Sequence, residues 1–280
     1  MASVYEREFE FSRKDFEYIR DIIGERTGIV LSEHKLDLVY GRLSRRLRQL
    51  NLRSFTDYLE IIKGGDDKEL VEFTNALTTN LTSFFREPHH FEYLKSTGIP
   101  ALIRNRPDKR LRIWSAGCST GEEPYTIAMT VNEAIPNMSG WDVRILATDL
   151  DSNVVNKGKS GIYSLDRVNG ISDQRLKRWF RKGRGDEHQG KVMVSPAIKD
   201  LITFKTLNLM QPWPMAGPMD VIFCRNVVIY FSKDTQRKLF NRYADILADD
   251  GYLIVGHSES LHKVSDRFKL IGKTIYKKVV

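Results

Sequence analysis

Apolar residues recur at three- and four-residue intervals through residues 12–77, then change to short apolar runs alternating with helical spacing after Pro107. The pattern predicts a helical segment followed by a strand–helix segment. Ser12, with Asp15 three residues on, is an expected helix start, because a hydroxyl and a carboxylate satisfy free N–H groups there. Phe16, Ile19, Ile22 and Ile23 follow at helical spacing until Thr27-Gly28 breaks the run, and Ser32 is the expected cap of a second helix. On that helix Leu36, Val39, Leu43, Leu47 and Leu50 form one stripe, while Arg42, Arg45 and Arg46 share a neighbouring face. Further helical pattern covers Phe55 to Ile62 and Glu69 to Leu77, around a turn at Gly64-Gly65-Asp66-Asp67.

Beyond Pro107, Leu111 to Ser115, Val143 to Ala147, Ile202 to Thr206, Asp220 to Cys224 and Tyr252 to Val255 read as strands. Helices are expected at about Glu122 to Ala134, Ser152 to Lys159 and Lys233 to Leu247, with a terminal hairpin over Phe268 to Val279. Such alternation predicts an α/β fold, a Rossmann-like parallel sheet with helices on both faces. Residues 161–199 interrupt the rhythm and read as an insertion: a helix at Ser172 to Arg181, a glycine-rich turn from Gly183 to Gly190, and a strand at Lys191 to Val194. Thr78 to Arg86 is polar and then aromatic, with Pro88 behind it, and reads as a linker unusually dense in polar groups. The expected division is therefore 1–77 helical, 78–88 linker, and 89–280 for the sheet with its insertion.

The 280 residues, 41% of them hydrophobic and 10% aromatic, suffice for a sizeable core and exclude a disordered chain. Two cysteines, Cys118 and Cys224, make neither a disulfide framework nor a four-cysteine zinc site, and are expected to pack as small apolar residues. With no apolar run of membrane-spanning length and a charged start, a soluble cytoplasmic protein is expected. The net charge of +8 favours an acidic partner without choosing among nucleic acid, anionic membrane and acidic protein. Arg42, Arg45 and Arg46, extended by Arg48 and Arg53, have no acid between Asp37 and Asp57. A solvated face accounts for most such runs; an uncompensated one repels itself and is easier to justify with a partner.

The strongest local signal is Ile113 to Pro124, strand–glycine loop–helix, where open α/β sheets place their ligands. It is neither a phosphate loop, since no Lys follows Gly121, nor the dinucleotide fingerprint. Glu122 and Glu123 open the helix where a diphosphate would otherwise sit, and would repel it. Asp149 ends the second strand, where a carboxylate accepts hydrogen bonds from a ribose diol; capping the next helix is the alternative role. Adenosine carrying a positive charge in place of phosphates describes S-adenosylmethionine. Arg225, Asn226 and then Tyr230 emerge from the fourth strand. The base-methylating tetrad is absent, because Asn226-Val227-Val228-Ile229 stands in its place, which lowers a nucleic-acid substrate. A non-catalytic reader of cofactor or receptor is the other alternative. His89 and His90, adjacent on a helix, are expected to diverge and make a poor metal pair, so no metal is expected.

Residues 78–87 (TTNLTSFFRE), 114–125 (WSAGCSTGEEPY), 223–231 (FCRNVVIYF) and 256–259 (GHSE), in this order, resemble the CheR family of chemotaxis receptor methyltransferases over essentially the whole chain. The resemblance implies an all-helical N-terminal domain, a class I methyltransferase sheet and a small antiparallel β-subdomain at 161–199. It implies S-adenosylmethionine as methyl donor, S-adenosylhomocysteine as product, and the γ-carboxylate of receptor glutamates as acceptor. Carried over by position, Asn80, Thr82, Arg86, Glu123, Asp149, Asn208, Leu209, Arg225 and Asn226 would contact the cofactor. Arg86 and Tyr230 would orient the reacting groups, and Arg42, Arg45 and Arg46 would meet the receptor's acidic helical bundle. In some members the β-subdomain also binds a pentapeptide at the receptor's C-terminus. Here Lys182 replaces one expected arginine, Met193 falls near a second, and the turn Asp186 to Gln189 is one residue longer.

Overall fold

A computed structural model describes residues 7–104, 106–183, 185 and 188–279. Asp186 and Glu187, at the start of the turn expected to be lengthened, and Arg184 beside it lie outside these residues. The chain forms two compact units, the first made of residues up to Thr79 together with Tyr230–Ser232, the second of Asn80–Ile229 and Lys233 onward.

The first unit packs four helices, α1 (Arg13–Thr27), α2 (Leu36–Gln49), α3 (Phe55–Lys63) and α4 (Asp67–Leu77). Ser12 and Asp15 cap each other's backbone N–H groups as expected, at 3.1 and 2.8 Å. Ser32 does not cap α2: its hydroxyl meets His34 Nε2 at 2.8 Å, and a 3₁₀ turn, Glu33–Lys35, precedes the helix. The α2 stripe buries Val39, Leu43 and Leu47 completely against Phe16, Ile19, Phe55, Tyr58 and Phe73. Residues Tyr230–Ser232 join this unit through a Val30 N–H to Tyr230 carbonyl bond of 2.8 Å and an Ile29–Phe231 bridge.

The second unit opens with short helices α5 (His89–Tyr93) and α6 (Ile99–Arg104), joined by a wider helical turn, Leu94–Gly98. Its main sheet holds β1 (Arg110–Ala116), β2 (Asp142–Asp149), β6 (Ile202–Thr206), β7 (Met219–Cys224), β8 (Leu247–Val255), β9 (Phe268–Gly272) and β10 (Ile275–Lys278). The order is β6-β2-β1-β7-β8-β10-β9, parallel from β6 to β8 and antiparallel at the terminal hairpin. Helices α7 (Glu122–Ala134), α8 (Ser152–Ser160) and α11 (Lys233–Ile246) supply the connections. Leu111, Ile113, Ile127, Met129, Val143, Ile145, Val221 and Phe223 fill the core, since parallel strands covered on both faces must be apolar throughout.

The insertion folds into a three-stranded antiparallel sheet, β3 (Ile162–Ser164), β5 (Lys191–Val194) and β4 (Phe180–Lys182), in the order β3-β5-β4. Helix α9 (Asp173–Trp179) is shorter than expected, because Phe180 turns inward, buries its ring and pairs with Val194. The short helix α10 (Pro196–Lys199) leads out to β6. Among the described residues no helix is long and apolar enough to cross a membrane.

Candidate functional site

Building outward from β1 places β2 and β6 on one side and β7 on the other, so the strand order reverses at β1. The loops at the carboxyl ends of β1, β2 and β7 therefore border the crevice where such sheets bind ligands. After β1, Gly117 has φ +99° and lies so close to Val227 that an added Cβ would sit 2.3 Å from its methyl carbon. Gly121 has φ +97°, and its missing side chain leaves room for Gly158 and the Tyr163 hydroxyl. Only glycine satisfies both the conformation and the approach at these two corners of the loop.

Asp149 sits at the end of β2 as expected. Its carboxylate accepts the Ser119 N–H at 2.8 Å and the Asp151 N–H at 3.0 Å, and burial pushes its pKa up to about 6. Capping α8 falls instead to Asp151, which accepts the Asn153 and Val154 N–H groups. A carboxylate offers about four lone-pair sites, so the backbone N–H groups of Ser119, Asp151 and Leu150 leave Asp149 room to accept from a ribose diol, and the donor and acceptor set fits an adenosine at this strand end. Asn80 joins the same cluster. Its Nδ2 donates to Asp151 at 2.7 Å, and its carbonyl accepts the Ser119 hydroxyl at 2.9 Å. The linker is thereby fastened over the glycine loop. Asn208 and Leu209 follow β6 beside Asp149, whose carbonyl accepts the Leu207 N–H at 2.8 Å. Asn208 Oδ1 accepts the Met210 N–H, and the Leu209 carbonyl is covered by Trp213 Nε1 and Arg242 Nη1.

The two glutamates of α7 are not bare carboxylates at the mouth of the crevice, as the sequence suggested. Glu122 is fully buried and ion-paired with Arg167, while Glu123 accepts Ser115 Oγ at 2.8 Å and Arg225 Nη1 at 2.9 Å. Arg167 and Arg225 come from segments 45 and 102 residues away, which helical spacing around the glutamates cannot reveal. Arg225 is itself buried. Its Nη2 donates to the Arg86 carbonyl at 2.5 Å and lies 3.4 Å from Glu87, and its guanidinium faces Phe91. Arg86 points Nη1 to the Leu81 carbonyl at 2.8 Å, which folds the linker back on itself. Thr82 offers its carbonyl to Arg167 at 2.9 Å.

Asn226 adopts φ +58°, held by a neighbour that the sequence reading singled out only as part of a motif. The buried carboxylate of Glu259 accepts N–H groups from Asn226 (2.8 Å), Val227 (2.9 Å), Val228 (2.9 Å) and Gly256 (2.6 Å). Burial raises the Glu259 pKa while these donors pull it down.

His89 and His90 do not diverge: their ring centroids lie 4.1 Å apart, and with Glu87 they bring three ligand atoms within 4.8 Å of one another. The Glu87 carboxylate is engaged by His257, through its N–H at 3.1 Å and Nδ1 at 2.9 Å, and by Arg225. These partners outweigh burial and hold Glu87 down at about 2. His90 Nε2 faces the Lys273 carbonyl at 3.0 Å and so carries the proton; burial, Arg225 and His89 lower its pKa to about 4.

The arginine face of α2 is more compensated than the local sequence implied. Arg46 pairs with buried Glu69 at 2.5 Å, Arg48 with Glu8 at 2.6 Å, and Arg42 spends its donors on the Leu77 and Thr78 carbonyls and the Thr79 hydroxyl. Arg45 is exposed.

A mostly parallel sheet, a glycine loop after its first strand and a carboxylate ending its second define a Rossmann-like site of the class I methyltransferase type. The family model described as the CheR methyltransferase SAM binding domain matches residues 80–277, and the CheR methyltransferase all-alpha domain matches 14–78. The chain is 43% identical over 271 residues to chemotaxis protein methyltransferase 2 of Pseudomonas aeruginosa, covering 96% of this chain and 95% of that one. It is 42% identical over 264 residues to the chemotaxis protein methyltransferase of Escherichia coli, covering 93% and 89%. A probable chemotaxis protein methyltransferase of Rhizobium etli is 44% identical over 255 residues, covering 89% and 94%. The chain belongs to the CheR family of S-adenosylmethionine-dependent chemotaxis methyltransferases.

Proposed function

We propose that this enzyme works in the cytoplasm and methylates the γ-carboxylate of glutamates in the signalling domain of chemoreceptors, forming methyl esters. The observation that carries the reading is the joined set Asn80–Ser119–Asp149, a carboxylate at a strand end beneath a fastened linker. S-adenosylmethionine supplies an already activated methyl carbon on sulfonium. Asp149 would hold its ribose, Asn80, Thr82 and Arg86 would close over it from the linker, and Asn208, Leu209 and Asn226 would border the base and the methionyl part. Glu123 and Arg225 would act by fixing the floor and the linker to each other, because their charges are spent on one another.

A glutamate acceptor with an ordinary pKa of about 4.3 is an anion at neutral pH, so methyl transfer to it requires no general base. The protein's task is to place oxygen, methyl and sulfur in line and to exclude water from the nucleophile. Arg86 would orient the acceptor carboxylate. An arginine that bound the carboxylate too tightly would blunt its attack, since the charge is lost in the transition state. The receptor would meet the α2 face chiefly through exposed Arg45. A receptor pentapeptide would add as a strand beside β4, which is an edge of the small sheet.

Incubation with methyl-labelled cofactor and receptor-containing membranes tests the reading. Base-labile, volatile label on the receptor supports the ester, stable label means nitrogen or carbon methylation, and no label overturns catalysis.

A further inference from the structure

The inserted sheet grips the cofactor loop and the linker at three separate places. Arg167 lies in the 3₁₀ turn Leu165–Val168 that follows β3, pairs with fully buried Glu122, and donates to the Thr82 carbonyl at 2.9 Å. Tyr163 on β3 donates its hydroxyl to the Thr120 carbonyl, inside the glycine loop, at 2.7 Å. Phe84 of the linker packs edge-on against Tyr163 at 5.1 Å and Phe180 of β4 at 5.5 Å. One small sheet thus holds the segment before β1 and the loop after it.

We infer that Arg167 and Tyr163 are positioning residues for S-adenosylmethionine, which makes the inserted sheet a working part of the cofactor site. The inference rests on the reading that linker and glycine loop enclose the cofactor. A loop and a linker free to move apart must be ordered when ligand arrives, and that ordering subtracts from affinity. Arg167 prevents it with a single planar group. Its guanidinium is long enough to reach a carboxylate on α7 and a carbonyl on the linker together, which an ammonium point charge does less well. Tyr163 fixes the loop from the other side, and the van der Waals contact of Phe84 closes the triangle.

Calorimetric titration with S-adenosylhomocysteine, paired with initial rates at varied S-adenosylmethionine, tests this on the full chain. Arg167→Ala is expected to weaken product binding by about 10- to 100-fold, the loss expected of charge-assisted hydrogen bonds. The KM for the methyl donor should rise in step, while kcat at saturation and the KM for receptor stay within about twofold of wild type. Arg167→Lys should recover part of the affinity, and Tyr163→Phe, which deletes one oxygen, should weaken binding by about threefold to tenfold. Should Arg167→Ala fail to fold with Glu122 unpaired, the Lys and Phe variants carry the same test. Folded variants that bind the product as wild type does would overturn the inference while leaving the site reading intact. A wild-type chain that does not bind it would overturn the site reading and this inference with it.

Discussion

Arg225 Nη1 and Glu123 Oε2 meet at 2.9 Å with both side chains buried, joining the end of β7 to the first turn of α7. The same guanidinium holds the Arg86 carbonyl, so one residue couples two strand-end loops to the linker. Replacing Arg225 with Met leaves Glu123 buried and uncompensated, a cost of about 3–5 kcal/mol. Thermal unfolding should show that loss, and Arg225→Met with Glu123→Gln together should recover much of it. Product binding should remain weak in both, because the linker has lost its anchor.

Glu259 acts as a fixed internal anion for the turn that bears Asn226. Glu259→Gln would point amide hydrogens at N–H groups that need acceptors. A loss of about 2–3 kcal/mol in stability is expected from unpaired buried donors. Denaturant unfolding measures it. Calorimetry should show the affinity for S-adenosylhomocysteine falling as Asn226 is released from φ +58°.

His90 and Asp149 give opposite pH slopes. His90 has a folded pKa of about 4, below its unfolded value of about 6.5, so its contribution is complete above pH 6.5 and is lost as pH falls toward 4. Asp149 is raised to about 6, so the native state binds the extra proton between pH 4 and 6, and stability is lost as pH rises through that window. Each amounts to about 3 kcal/mol, and they largely offset in wild type. Asp149→Asn should expose the His90 slope as a steep loss of stability below pH 6.5. A pH series of chemical unfolding curves in which Asp149→Asn stayed flat between pH 6.5 and 4 would contradict this balance.

The pH dependence of cofactor affinity should follow Asp149. Binding a diol through the carboxylate favours the ionised form, so affinity for S-adenosylhomocysteine should be level above pH 6 and fall about tenfold per unit below it. Asp149→Asn should bind weakly and lose that pH dependence in calorimetric titrations.

Arg45 and Arg46 should separate receptor binding from folding. Arg46→Ala strands Glu69, which also accepts Tyr58 Oη at 2.9 Å, and should destabilise the first unit by about 2–3 kcal/mol. Exposed Arg45→Ala should leave stability within about 0.5 kcal/mol and lower receptor affinity in a pull-down with receptor-containing membranes.

Local features were legible where a residue's role depends on its near neighbours. The Ser12–Asp15 cap, the Val39-Leu43-Leu47 stripe and the apolar strands all follow from spacing, whereas the close neighbours of Gly117 and Gly121 proved to be Val227, Gly158 and Tyr163 of the chain itself. The three-residue strand Ile162–Ser164 was too short to show a period, and Phe180 left the helical pattern only because Val194 pairs with it. Ser32 looked like a cap, yet a 3₁₀ turn intervened.

Periodicity by itself determined the strand–helix alternation, whereas the candidate cofactor residues were carried over by position from the family resemblance. Tertiary structure alone decided which charges are spent. Glu122, Glu123 and Arg46 read as open charges in sequence, and folding hands them to Arg167, Arg225 and Glu69. The physical reason is that helix and strand preferences are set by residues a few positions apart, whereas ion pairs form wherever packing brings opposite charges into a low-dielectric interior, whatever their separation along the chain.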